Sequence, residues 1–231
     1  MKKNKMMRLA SVLLVLVLLT TSVISGTFAK YTTSASSEDS ARVAYWGFQS
    51  SNTMDLSGLF AASYSNVKAQ NVKDIMAPGT QGSAKFAFAY DESVKANGSD
   101  LTMTGPEVAY DFTVAVEASC DEMIKNNKNI VWKLDNNGQT ELTWDELIAA
   151  LKNLSGDQSG TKRYNPGELP AAFTTSDDTH TIYWEWKFEG AETYTVGDET
   201  LTQDEYDTYM GNMAEMDDVS IKITITATQV D

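Results

Sequence analysis

The stretch PEVAYDFTVAVEAS, Pro106–Ser119, decides the fold class. Val108, Tyr110, Phe112, Val114 and Val116 fall on one face, and Ala109, Asp111, Thr113, Ala115 and Glu117 on the other. A period of two is the mark of a half-buried β-strand, because successive side chains point to opposite sides of the pleat. The same alternation runs through KFAFAY (Phe86, Phe88, Tyr90), TIYWEWKF (Ile182, Trp184, Trp186, Phe188 against Tyr183, Glu185, Lys187) and VSIKITITATQV (Val219, Ile221, Ile223, Ile225 against Ser220, Lys222, Thr224, Thr226). NVKAQNVKDI and NIVWKL carry it more weakly, and the Pro-Gly of APGTQG suits a hairpin turn before KFAFAY.

Two segments read as helices. TWDELIAALKNLSG opens with a capping box, Thr143 and Glu146, and places Leu147, Ile148, Leu151 and Leu154 on one stripe before Gly156. TQDEYDTYMGNM repeats the device with Thr202 and Glu205 and aligns Tyr206, Tyr209, Met210 and Met213, with Gly211 as an interruption. Residues 156–167 and 174–181 read as loops. Strands outnumber helices and do not regularly alternate with them, so a parallel α/β sheet is not expected. The expectation is a mainly β chain, an antiparallel sandwich with one or two short helices in its connections.

The N-terminus reads as a secretory leader. Lys2, Lys3, Lys5 and Arg8 precede an apolar run, Leu9–Leu19, which ends in small and hydroxylated residues. Thr27 and Ala29 supply the small side chains required at −3 and −1, which places cleavage between Ala29 and Lys30. The alternative is an uncut anchor over Leu9–Ala29, a length that spans a bilayer but is diluted by Ser11, Thr20, Thr21, Ser22 and Ser25. Residues 1–29 are thus assigned to the signal peptide, 30–40 to a flexible polar spacer and 41–231 to a single domain. No second apolar stretch approaches a spanning length, so the expectation is a secreted protein with no membrane attachment after cleavage.

Removing the leader's four positive charges takes the net charge from −14 to −18. Such a chain repels phosphate backbones and anionic lipid, which argues against nucleic-acid and membrane-surface partners. Cys120 is the only cysteine, so no intrachain disulfide forms, and the expected role is structural. His180 is the only histidine. Neither HExxH, GxSxG nor GxxxxGK[ST] occurs, so zincin, serine-hydrolase and nucleotide-binding chemistries lack their parts. Acidic pairs such as Asp177–Asp178 and Asp217–Asp218 read as solvated surface; Ca²⁺ is the only cofactor they suggest, and DNNG at 135–138 lacks EF-hand spacing and reads as a turn. The expectation is a non-catalytic protein with no assigned metal site.

GTFAKYTTSASSEDSARVAYWGF (Gly26–Phe48), MAPGTQGSAKFAF, PEVAYDF and the closing SIKITITATQVD resemble the TasA/camelysin family of Gram-positive secreted proteins. Ser25 stands where that family more often has a second glycine. The resemblance implies processing by a signal peptidase of the SipW type, a jelly-roll sandwich, and extracellular biofilm-matrix fibres in which the N-terminal strand of one copy adds to the next. Copies of itself, and other matrix or minor fibre proteins, are then the implied partners. The donor would be Arg42, Val43, Ala44, Tyr45, Trp46 and Phe48, since an isolated strand and an open sheet edge each present a row of unpaired N–H and C=O groups. The same residues equally suit an ordinary first strand paired within their own domain. Two other classes stay open: a camelysin-like secreted peptidase, and a monomeric surface-binding module in which Trp184 and Trp186 would stack on sugars.

Overall fold

The computed structural model describes residues 6–17, 44, 46–48, 56–69, 73–88, 90, 105–135, 140–174, 179–213 and 216–230. The chain divides into two units, Met1–Val43 and Ala44–Asp231. In the first, residues 6–17 form an exposed helix (α1). Among the described residues no helix is long and apolar enough to cross a membrane.

The second unit is mainly β, with three antiparallel sheets and a few short helices. One sheet has the order β1-β5-β3, from Gln81–Ala87, Thr179–Trp186 and Ile130–Leu134. Another has the order β4-β2-β8, from Thr161–Tyr164, Tyr110–Ser119 and Ser220–Gln229. The third is the hairpin of β6 (Thr193–Val196) and β7 (Glu199–Thr202). The helices are α2 (Glu122–Asn126), α3 (Trp144–Asn153) and α4 (Gln203–Gly211).

The alternation in the sequence becomes burial. Tyr110, Phe112 and Val114 of β2 are buried while Ala115 and Glu117 are exposed. Ile182, Trp184 and Trp186 of β5 face inward, and Phe86, Trp132 and Ile223 join them in one apolar cluster fed by both three-stranded sheets. Phe188 departs from the predicted face: β5 ends at Trp186, and the Phe188 ring is 68 % exposed. The Pro-Gly turn forms, with Thr80 N donating to Ala77 O at 3.0 Å and Gly79 at φ 78°, but it does not make a hairpin. Instead Gly79 N donates to Trp186 O and Trp186 N to Thr80 O, which splices the turn onto the end of β5. Among its described residues, the NVKAQNVKDI region contributes single bridges, Ser63 with Lys68 and Ala61 with Ile75.

Both capping boxes form. Thr143 N donates to Glu146 Oε2 at 2.8 Å, and Thr202 N to Glu205 Oε2 at 2.8 Å, with the reciprocal bonds from the Glu amides to the Thr hydroxyls. In α3, Leu147 and Leu151 are fully buried. In α4, Tyr206 and Met210 are buried, whereas Tyr209 and Met213 of the predicted stripe are exposed. The loop expected over 156–167 contains β4, and α2 and the β6–β7 hairpin were likewise not foreseen.

Candidate functional site

The candidate site is the start of the second unit and the sheet edges open to it. Among the proposed donor residues, Ala44, Trp46 and Phe48 are described; Arg42, Val43 and Tyr45 lie outside the described residues, as do the cleavage residues Thr27, Ala29 and Lys30. Ala44 is exposed, and Trp46 and Phe48 are half-buried against the core. Phe48 makes one antiparallel bridge, with Tyr90. Its ring lies 5.1 Å from Tyr110, 5.5 Å from Tyr90 and 5.6 Å from Phe88, while the Trp46 ring stands edge-on to Tyr110 at 5.9 Å. Between the two rings, buried Gly47 has φ 74°, a left-handed conformation that interrupts any regular strand through 46–48. Among the described residues, aromatic contacts and one bridge hold the segment 46–48.

Beneath it, Tyr110 stacks on Tyr164 at 5.5 Å and donates from its hydroxyl to Glu168 O at 3.0 Å. Burial pushes the Tyr110 phenol up, and the neighbouring Tyr164 adds to the shift. The platform is therefore a neutral aromatic surface.

Every three-stranded sheet has two outer edges, and they differ. β4 is only four residues long, and Val114 N of β2 bonds beyond it to Gly160 O at 2.7 Å. The outer side of β3 is bridged by Leu142, which exchanges two backbone bonds with Trp132. β8 is ten residues long, is paired with β2 from Ser220 to Gln229, and has no partner on its other side among the described residues. Along an antiparallel edge strand every second residue turns its N–H and C=O outward. Natural proteins usually blunt such an edge with charge, proline or a bulge. β8 has one charged residue, Lys222, which pairs across the strand with Glu117 at 2.9 Å, and its run of Ile and Thr suits further pairing.

The other candidate residues fall elsewhere. His180 lies in β5 with both ring nitrogens facing oxygen, Nδ1 at 2.7 Å from Asp135 Oδ2 and Nε2 at 2.9 Å from Ala172 O. Its ring packs on Phe173 and Phe86. Asp135, at φ 58°, also accepts from Thr181 N, so the start of the predicted DNNG turn locks β3 to β5. Among the described residues no three His, Cys, Asp or Glu converge as a metal-holding group. Trp184 and Trp186, the candidate sugar platform, are both buried. Cys120 is buried, and that burial pushes its thiol up to about 12. The thiolate, the reactive form, is correspondingly scarce.

Sequence reasoning missed a buried polar cluster that positions α4. Asn127 Nδ2 donates to Asp207 Oδ1 at 3.0 Å, and Asn127 Oδ1 accepts from Asn129 N and from the Tyr194 hydroxyl. Gln203 Nε2 also reaches Asp207 Oδ1. Tyr194 in turn stacks on Tyr206, centroids 4.1 Å apart. The hint in the sequence was an asparagine-rich NNKN run after a short helix, which composition alone reads as loop. Compared with family models, with curated proteins and with solved structures, the chain shows no match.

Proposed function

We infer that this chain is a secreted, non-catalytic structural protein of a Gram-positive cell surface or biofilm matrix, and that it assembles into fibres by exchange of its N-terminal strand. The observation that carries this reading is the open edge of β8, ten residues long and nearly uncharged, in a chain whose own segment 46–48 is held by aromatic contacts and, among the described residues, one bridge. Strand addition completes two rows of backbone hydrogen bonds at once, and alternate side chains give register. The resemblance of residues 26–48 to TasA-type proteins supports the same reading, and with it a SipW-type peptidase cutting before Lys30. The two three-stranded sheets, feeding one core, are compatible with a jelly-roll sandwich.

In the proposed cycle, cleavage frees residues 30–48. The spacer KYTTSASSEDS lacks proline and bulky apolar groups other than Tyr31, a composition that would give the strand reach. Trp46 and Phe48 then leave their intramolecular seat for the edge of a neighbouring copy. N-terminal sequencing of the exported chain, combined with electron microscopy, tests this. The expected result is a start at Lys30 and filaments that disappear when residues 30–48 are deleted. A correctly processed chain that stays monomeric at high concentration overturns the reading.

A further inference from the structure

On the second unit, the segment 73–78, the end of α4 and residues 216–220 enclose a groove of about 730 Å³, which meets β8 at its first residue, Ser220. That is within the size range of sites that hold small ligands or a few residues of peptide. Its walls are apolar and adaptable: Ile75, Met76, Ile124, Met210 and Met216 line it, and methionine conforms to irregular shapes. An exposed aromatic stands beside it, since a Cβ on Gly79, next to the lining residue Pro78, would come within 3.2 Å of the Phe188 ring.

Two polar features give the groove a chemical preference. Asp74, Asp207, Asp217 and Asp218 line it against one cation, Lys73, whose ammonium is 3.8 Å from Asp218. Asp207 is fixed by Asn127 and Gln203, and Asp74 and Asp217 form no ion pair among the described residues. The lining also includes Trp186, only 6 % exposed, whose indole Nε1–H is closed to solvent and has no hydrogen-bond partner among the described residues. A buried donor left unpaired is unfavourable and rare in folded proteins, so an acceptor that arrives with a ligand would relieve it.

We propose that this groove binds a basic, apolar peptide segment of a different protein. Aliphatic side chains fill the methionine-lined wall, lysine or arginine meets Asp74 and Asp217, and a main-chain carbonyl accepts from Trp186 Nε1. Charge selects this occupant over others. Nucleic acid and anionic lipid are repelled by the carboxylates, a neutral apolar ligand leaves them unanswered, and a second copy of a chain at net −14, or −18 once processed, brings the wrong sign.

The test uses the full chain and a fluorescein-labelled, amidated Lys-Leu alternating peptide of about eight residues, with a Glu-Leu peptide as counterpart, read by fluorescence anisotropy. The Lys-Leu peptide should bind at micromolar concentration and weaken with salt, and the Glu-Leu peptide should not bind. Asp74→Asn with Asp217→Asn should lower affinity about tenfold, whereas Asp198→Asn with Glu199→Gln, an equal charge change on the β6–β7 turn, should leave it unchanged. Trp186→Phe keeps the ring, removes the donor and should weaken binding severalfold; Met76→Lys should abolish it. Near-ultraviolet circular dichroism verifies that each variant is folded, and the exposed aspartate pair carries the test if Trp186→Phe is not. Binding that responds equally to both charge pairs, binding undiminished by Met76→Lys, effective competition by spermine, or no binding below millimolar concentration each overturns the proposal.

Discussion

At the scale of single residues, the side chain that holds most together is Asn127. It is buried, and its amide links the turn after α2 to α4 through Asp207 and to β6 through Tyr194. Asn127→Ala removes the acceptor of the Asn129 backbone amide and of the Tyr194 hydroxyl, while Asp207 keeps its bond from Gln203, and leaving such buried groups unpaired costs about 2 kcal/mol or more. Chemical denaturation should show that loss, while a surface change such as Asp198→Asn should stay within about 0.5 kcal/mol. An unchanged midpoint for Asn127→Ala would mean that the network is replaced by solvent. Gly82 illustrates a constraint of another kind: a Cβ there would fall 2.1 Å from Leu59 O, the atom that accepts from Trp184 Nε1 at 2.6 Å. Nothing in the local sequence announces that contact, because its two halves are brought together only by the fold.

At the scale of elements, the helices carry their own acid sensitivity. Hydrogen bonds from Thr143 and Thr202 hold the carboxyls of Glu146 and Glu205 below their ordinary value of 4.5. A carboxyl lowered in the folded state adds stability that is fully present above the unfolded value and is lost as pH falls through the folded one. Thermal unfolding followed from about pH 5 to about pH 3 should therefore fall. Glu146→Gln with Glu205→Gln should flatten that fall; a profile parallel to wild type would remove the caps from the explanation. Asp111, held low by Arg163, leaves a residual slope in either case. These boxes were legible because capping is local, three residues from signal to partner, and β2, β5 and β8 were legible because each has one wet and one dry face. β4 was not. TKRY buries a single residue, Tyr164, and owes its strand to long-range partners: Arg163 to Asp111 and Thr161 to Thr113. The β6–β7 hairpin, mostly exposed, has too weak an alternation to be seen. Of the candidate site, the aromatic donor residues stood out in the sequence, whereas the openness of the β8 edge is a property of sheet order and could not.

At the scale of the whole molecule, the proposed association has to overcome charge. Packed copies at −18 repel, so protonation or divalent counterions should promote assembly. Light scattering of the processed chain should rise between about pH 7 and about pH 4, and on adding millimolar calcium at neutral pH. A flat trace under both conditions would remove electrostatic repulsion as the brake. The order of strands has a consequence in time as well. Tyr110 finds its partner at Gln229, so the sheet built on β2 cannot close until β8, far later in the sequence, is available. Pairings so distant in sequence form late and slowly. A chain exported as proposed would cross its translocation pore before this sheet could close, and deletion of Ser220–Gln229 would strip one whole flank from β2.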